Sequence, residues 1–366
     1  MGSVVLLGTS HSDARKVRVL IVDDTATIRR LLRALLADDP RIEIVGEAGD
    51  PYEARALIKS LNPDVLTLDV EMPRMNGLVF LEKIMRLRPM PVIMVSSRTV
   101  EDSEEAVTAL SLGALDCVDL RRLRSGDPRL PDLGDMLVTA ARARVRGQAL
   151  ADRPKSQDAE GANRAFDWNG RSVVVGSSTG GVDALLNLFG SYPPNGPPTV
   201  VAQHMPSQFL ESFATRLNTH SPATVRLARD GDVLTQGEVL LAPGGGFHAV
   251  LRNRGELRVS LVADTGEDLY VPSVARLFSS AAPLGNGVVG VMLTGMGRDG
   301  AAELLDMRNA GASTIAQSGR SAVIDGMPKA ARELGAAEAV LDLSDITPRI
   351  LALTSSSERI VSRVTG

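Results

Sequence analysis

The sequence predicts an α/β fold made of two doubly wound parallel-sheet domains in tandem. Three observations carry that prediction. The chain has 366 residues, the length of two ordinary domains. Short β-branched runs alternate with runs of helical apolar period, first over residues 17–97 and again over 173–309. Between the two series lies a polar stretch without any period, Ala151 to Gly161.

The first series opens with Val17-Arg18-Val19-Leu20-Ile21-Val22, a buried strand that ends in Asp23-Asp24. Ile28, Leu31, Leu32, Leu35 and Leu36 then share one helical face. Ile42 to Val45 is a second strand, and Pro51 opens a helix carrying Ala54, Leu57, Ile58 and Leu61. Val65 to Leu68 is a strand ending in Asp69, and Leu78, Leu81, Ile84 and Met85 line the next helix. Pro91 to Val95 is a strand ending in Ser96-Ser97. Strand and helix alternate, so the sheet is expected to be parallel, with helices on both faces.

Ligands of such sheets sit at the carboxyl ends of the strands. Asp23, Asp24 and Asp69 are there, and three carboxylates brought together call for a cation; all-oxygen ligation suits Mg²⁺. The competing reading is that each aspartate caps the helix after it. Val22-Asp23-Asp24, Leu68-Asp69-Val70-Glu71-Met72-Pro73-Arg74-Met75-Asn76-Gly77 and Met94-Val95-Ser96-Ser97 together resemble the receiver domains of two-component signalling, over this whole half of the chain. The resemblance implies a flavodoxin-like receiver over 15–138, phosphorylated on Asp69 by a histidine kinase. It also implies Mg²⁺ held by Asp23, Asp24 and Asp69, and a phosphate contact from Ser96. One position departs from the receiver pattern. Leu120 stands where receivers usually place a lysine after the fifth strand, so phosphorylation is expected to switch the protein weakly or differently. Arg121 and Arg122 are the nearest cations in sequence, and Lys59 and Lys83 belong to helices away from the pocket.

The connector is placed over 139–166. Ala141 to Arg146 is read as the end of a helix, and the polar stretch after it as flexible.

The second series begins with Val173-Val174-Val175, a strand stopped by Gly176, with a helix from Val182 to Phe189. Thr199 to Gln203 is a strand running into His204-Met205-Pro206, followed by a helix with Phe209, Leu210, Phe213 and Leu217. Val239 to Ala242 is a strand, and Asn253-Arg254-Gly255 reads as the tip of an inserted hairpin between Ala249–Leu251 and Leu257–Val262. Val288 to Leu293 is a strand ending in Thr294-Gly295-Met296-Gly297-Arg298-Asp299-Gly300, and Ala301 to Asn309 is a helix.

A strand that turns sharply into a helix exposes its turn residue beside unpaired N–H groups. Gly176-x-Ser178-x-Gly180 has the spacing of a nucleophile elbow. Ser178, His204 and Asp299 each follow a strand's carboxyl end: an alcohol, a base to take its proton and an acid to fix the base. Each also has a plain reading, as a turn or phosphate contact, a strand-end histidine and a helix cap. A second order fits as well, Ser178 with Asp230 or Asp232 and His248, and the residues alone leave both open.

Val175 to Gly181, Gln203-His204-Met205-Pro206, Ala242-Pro243-Gly244, Leu293 to Ala301, Thr314 to Gln317 and Gly326-Met327-Pro328 resemble the catalytic domain of chemotaxis-type protein-glutamate methylesterases. The motifs span nearly all of this half, in that family's order. The resemblance implies a Rossmann-like catalytic domain with a β-hairpin insertion over 167–362. It implies a Ser178, His204, Asp299 triad, an oxyanion donor at the Met296 N–H and no cofactor for the ester step. The implied substrate is a methylated glutamyl side chain on the cytoplasmic region of chemoreceptors, with glutamine deamidated by the same route. Val271-Pro272-Ser273-Val274-Ala275 departs from the family's Arg-Pro-Ser-Val-Asp, which leaves target choice less defined than chemistry.

Composition narrows the remaining classes. Aromatics are 3% of residues and the formal charge is −4, which speaks against a general nucleic-acid binder. No basic recognition helix supports a DNA-binding output. Cys117 is the only cysteine, as suits a reducing cytosol, and rules out an intrachain disulfide. Val4 to Leu7 is too short for a signal sequence, and no apolar run spans a bilayer, so a cytoplasmic protein without membrane insertion is expected. The opposing function is a nucleotide- or phosphate-binding module that uses Gly180-Gly181, Gly244 to Gly246 and Gly295-x-Gly297 as a cradle, without hydrolysis.

Overall fold

The computed structural model describes residues 15–96, 103–120, 132–143, 145 and 166–356. The polar connector stretch 151–161, Val4 to Leu7, Ser97, Arg121, Arg122 and residues 357–362 lie outside the described residues.

The first sheet has five strands: β1 (Val17–Val22), β2 (Ile42–Ala48), β3 (Val65–Asp69), β4 (Val92–Ser96) and β5 (Asp116–Asp119). Their order is β2-β1-β3-β4-β5 and every pairing is parallel. The helices are α1 (Ala26–Leu36), α2 (Pro51–Leu61), α3 (Gly77–Leu87), α4 (Ser103–Ser111) and α5 (Leu133–Ala140). Alternate side chains of each strand point to opposite faces. Val19 and Ile21 therefore pack on Leu32 and Leu36 of α1 and Leu133 and Leu137 of α5. Leu20 and Val22 pack on the other side, with α2 and α3 through Ala54, Ile58, Phe80 and Leu81.

Local chemistry sets the helix starts. Asp50 accepts the Tyr52 and Glu53 N–H groups with Pro51 behind it, and Asn76 accepts the Leu78 N–H. α5 ends at Ala140, and the described residues 141–143 form a turn. The helix expected to run to Arg146 thus stops earlier. Alanines and arginines favour a helix, yet Ala141, Ala143 and Val145 still pack against the core as the chain leaves it in a turn.

The second sheet has seven strands in the order β14-β13-β12-β6-β7-β9-β8, again parallel throughout. They are β6 (Ser172–Ser177), β7 (Thr199–Gln203), β8 (Thr224–Leu227), β9 (Glu238–Leu241), β12 (Val288–Met292), β13 (Ser313–Gln317) and β14 (Ala339–Leu341). β10 (Phe247–Asn253) and β11 (Leu257–Ala263) form the expected antiparallel hairpin. The helices are α6 (Gly181–Gly190), α7 (Ser207–His220), α8 (Val274–Ala281), α9 (Ala301–Asn309), α10 (Met327–Glu333) and α11 (Leu343–Thr354). α6, α7 and α11 cover Val173 and Val175, while α8, α9, α10 and the hairpin cover Val174 and Met292.

Strand order reverses between β1 and β3 in the first sheet and between β12 and β6 in the second. Each reversal opens a crevice at the carboxyl ends of its strands, because successive crossovers leave on opposite faces. α4 of the first unit packs against α6 and α7 of the second, and one apolar cluster runs across both.

Candidate active site

Ser178, His204 and Asp299 follow the carboxyl ends of β6, β7 and β12. Ser178 follows β6 directly and is 8% exposed. Its N–H donates to the Thr294 carbonyl at 3.0 Å, which ties the elbow to the loop after β12. That loop comes very close. A Cβ on Gly295 would lie 2.7 Å from the Ser178 Cβ and 2.4 Å from the Met327 Sδ, so only glycine fits there. Two further bonds, from Gly326 and Met327 N–H to the Gly295 carbonyl, pin it. Among the described residues no backbone carbonyl takes the Met296 N–H.

Gln203, at the end of β7, is buried and joins the serine and histidine strands. Its Oε1 accepts the Ser177 hydroxyl at 2.6 Å, and its Nε2 donates to the Ser178 and His204 carbonyls at 3.0 and 2.9 Å. Gly181 leaves room for this amide, since a Cβ there would lie 2.0 Å from Gln203 Oε1.

His204 Nε2 lies 2.7 Å from Asp299 Oδ2. Its Nδ1 is buried and has no hydrogen-bond partner among the described residues. The Tyr270 ring stacks on the imidazole, with centroids 4.0 Å apart and planes 8° from parallel.

Asp299 does not cap the helix that follows it; α9 starts at Gly300 without a side-chain cap. It instead accepts the Val274 N–H at 2.7 Å and the Ala275 N–H at 3.2 Å, at the start of α8. Burial pushes this carboxyl up, but the bond from His204, its charge and the two N–H donors hold it below the ordinary carboxylate range.

The rival arrangement is taken apart. Asp230 accepts Ser260 Oγ and the Leu261 N–H, and Asp232 accepts Arg226 and the Arg229 N–H. His248 accepts the Ser273 N–H and faces Asp264 and Asp268. Of the two orders the residues left open, the structure pairs His204 with its acid, Asp299, and pairs His248 with neither Asp230 nor Asp232.

The first sheet's crevice gathers Asp23, Asp24 and Asp69, each offering a carboxylate oxygen within 4.8 Å of the others. They do not cap helices: α1 starts at Thr25 without a side-chain cap, and α3 is capped by Asn76. Burial above all, then the neighbouring carboxylates, push Asp69 up to about 7; burial and Asp24 push Asp23 to about 6. A donor set of hard oxygens that repel one another fits a divalent cation such as Mg²⁺. Ser96 ends β4 beside the Asp69 strand. Leu120 is 2% exposed and packs with Val118, Leu133 and Leu137, so an apolar side chain fills the position of the usual receiver cation.

Comparison with known proteins bears on both crevices. The family model "CheB methylesterase" matches residues 173–350, and "Response regulator receiver domain" matches 19–119. The protein-glutamate methylesterase/protein-glutamine glutaminase 1 of Caulobacter vibrioides is 50% identical over 93% of this chain and 99% of its own. The chain belongs to the CheB methylesterase family. The protein-glutamate methylesterase/protein-glutamine glutaminase of Agrobacterium fabrum is also 50% identical, over 93% of this chain and 97% of its own. The solved methylesterase catalytic domain of Thermotoga maritima CheB is 35% identical, covering 51% of this chain and 100% of that one, with a TM-score of 0.49. Membership in a hydrolase family sets aside the purely binding module.

In this methylesterase the receiver lies against the elbow that carries Ser178. Asp116, at the start of β5, accepts a hydrogen bond from Thr179 Oγ1 at 3.0 Å, next to Ser178. Asp116 is half-buried; loss of solvent raises its carboxyl above the ordinary range, although the Cys117 N–H, the Thr179 bond and His204 act the other way. A small cavity between the two units is lined by Ile93, Asp116, Thr139, Thr179, Met296 and Ile324.

Four of these residues carry little or no advance signal of their role. Gln203 and Thr179 sit inside motifs where serine and histidine draw the attention. Asp116 belongs to the other domain, and only the docking brings it here. Tyr270 is one of three tyrosines in an aromatic-poor chain, and that rarity is the one clue to it. Among the described residues no helix is long and apolar enough to cross a membrane.

Proposed function

We propose that this protein removes methyl esters from glutamyl side chains of chemoreceptor cytoplasmic regions through a Ser178-His204-Asp299 triad, and deamidates glutamine side chains by the same route. The observation that carries the reading is the clamped imidazole. With Nε2 hydrogen-bonded to a carboxylate, the ring's proton sits on Nε2, and the bare Nδ1 is the base. Ser178 Oγ attacks the ester carbonyl while Nδ1 takes its proton. The Met296 N–H, which no backbone carbonyl takes among the described residues, supports the negative oxygen that forms; one such donor is worth roughly a hundredfold or more in rate. The imidazolium returns its proton to the departing methoxide and methanol leaves. Water, deprotonated by the same nitrogen, then releases the glutamate. A carboxamide follows the same steps with ammonia as leaving group. The ester step as written uses only groups of this chain.

The division into a receiver over 15–138, a connector over 139–166 and a catalytic unit over 167–362 belongs to this reading, as does work in the cytoplasm. Asp23, Asp24 and Asp69 would hold Mg²⁺, which neutralises the site so that Asp69 can accept a phosphoryl group from a histidine kinase, with Ser96 as a phosphate contact. The Asp116–Thr179 bond and the shared apolar seam support a receiver that covers the approach to Ser178 and that phosphorylation loosens.

The test is methanol release from a methylated chemoreceptor fragment by wild type and Ser178→Ala. Loss of release in the variant, with stoichiometric labelling of wild-type Ser178 by a serine-directed phosphonate, is the expected result. Release at an unchanged rate by Ser178→Ala sinks the reading.

A further inference from the structure

A second histidine is buried behind Asp299. His248 lies on β10 and is 1% exposed. Its Nδ1 accepts the Ser273 N–H at 3.1 Å. Ser273 is the N-cap of α8 and its hydroxyl accepts the Arg276 N–H. The same hydroxyl donates to Asp299 Oδ1 at 3.3 Å, and the next two N–H groups are those that grip Asp299. The backbone that orients the acid is therefore itself held by His248.

The other ring nitrogen faces negative charge. Nε2 lies 3.6 Å from Asp264 Oδ1 and 3.4 Å from Asp268 Oδ2, and makes no hydrogen bond among the described residues. Arg276 pairs with Asp268 from outside. One histidine and two carboxylates at such distances could hold a metal ion. The protons argue otherwise. A neutral imidazole whose Nδ1 accepts an N–H has its own proton on Nε2, and a protonated nitrogen ligates nothing. Metal-bound histidines do the reverse, donating their second nitrogen's proton.

We infer that His248 is a positioning residue of the esterase site. As the Nε2–H tautomer, oriented by Asp264 and Asp268, it fixes Ser273 and so the helix start that clasps Asp299. It touches no reacting group and acts through Ser273 alone. The inference rests on the proposed triad, and its test separates the two.

The test compares His248→Asn with His248→Gln in the full chain. The Asn side-chain oxygen stands where Nδ1 stood and can accept the Ser273 N–H; that of Gln stands nearer the place of Nε2. His248→Asn is expected to keep kcat within roughly threefold, and His248→Gln to lose roughly tenfold in kcat with KM nearly unchanged. The acid limb of kcat/KM should move to lower pH in His248→Gln only, because a loosened Asp299 stabilises the His204 imidazolium less. Equal losses in both variants without a pH shift, or no loss in either, overturn the inference. If Ser178→Ala, run in parallel, retains full turnover, the triad itself fails; if it is inactive while His248→Gln matches wild type, only the positioning role fails. Nitrogen NMR of the wild type needs only the milder variant, His248→Asn, for assignment. It should show one neutral histidine with the proton on Nε2 and an acceptor Nδ1 that His248→Asn removes, and the opposite tautomer overturns the proposal. One equivalent of zinc bound by the Asp69→Asn chain and lost on His248→Asn overturns it as well.

Discussion

Gln203 shows how much of the site rests on one buried amide. It makes three hydrogen bonds, to the Ser177 hydroxyl and the Ser178 and His204 carbonyls, so removing it leaves buried polar groups without partners. Gln203→Leu is expected to destabilise the protein by about 2–4 kcal/mol in a denaturant titration and to lower kcat as the two backbones drift apart. The receiver carboxylates give a second prediction, on pH. Asp69 and Asp23 have folded-state values raised to about 7 and about 6, above the ordinary 3.8. In the metal-free protein the folded state thus binds more protons than the unfolded state, and stability falls as pH rises through about 4 to 7. Mg²⁺ competes with those protons, so its affinity should climb over the same interval and restore stability at neutral pH. Thermal melts across that range, with chelator and with excess Mg²⁺, check this; curves that rise with pH in chelator would contradict it.

At the level of elements, the decisive pieces are two loops that meet. The β6–α6 elbow presents Ser178, and the loop after β12 closes on it through Gly295. Gly295→Ala would press a methyl group into Ser178 and Met327. A cost of about 1–3 kcal/mol is expected. The kcat loss should exceed what the fall in folded fraction explains, since the same loop carries Met296. Phosphonate labelling of Ser178 under conditions where the variant is fully folded separates the two effects. The start of α8 plays a comparable part: its free N–H groups hold Asp299 as a carboxylate, as helix N-termini hold anions generally.

For the whole molecule, regulation depends on the seam between the two units. Asp116 reaches Thr179 beside the proposed nucleophile, and α4 packs on α6 and α7. Removing residues 1–150 is expected to raise the basal methanol-release rate, and Asp116→Ala in the full chain to raise it part of the way. A folded fragment no faster than the full chain would count against occlusion. Leu120 bears on how the seam is released. A buried leucine cannot pair with phosphoryl oxygens as an ammonium does, so Asp69 phosphorylation should activate weakly or differently. Following Asp69 labelling by a small phosphodonor together with activity tests this; ordinary labelling with full activation would show the missing lysine to be immaterial.

What the sequence alone determined is what strand ends determine. Alternating strands and helices dictate a parallel doubly wound sheet, and such a sheet gathers the residues at its carboxyl ends. That is why Ser178, His204 and Asp299, and separately Asp23, Asp24 and Asp69, could be named before any coordinates. Tertiary structure decided which histidine pairs with Asp299. His204 and His248 each fit an order of serine, base and acid along the chain, and only packing turns one towards Asp299 and the other towards Ser273. It also decided what Asp299 is gripped by, what stacks on His204 and where Asp116 docks. Those contacts join segments far apart in the chain, through loops and a domain seam that have no repeating pattern to read.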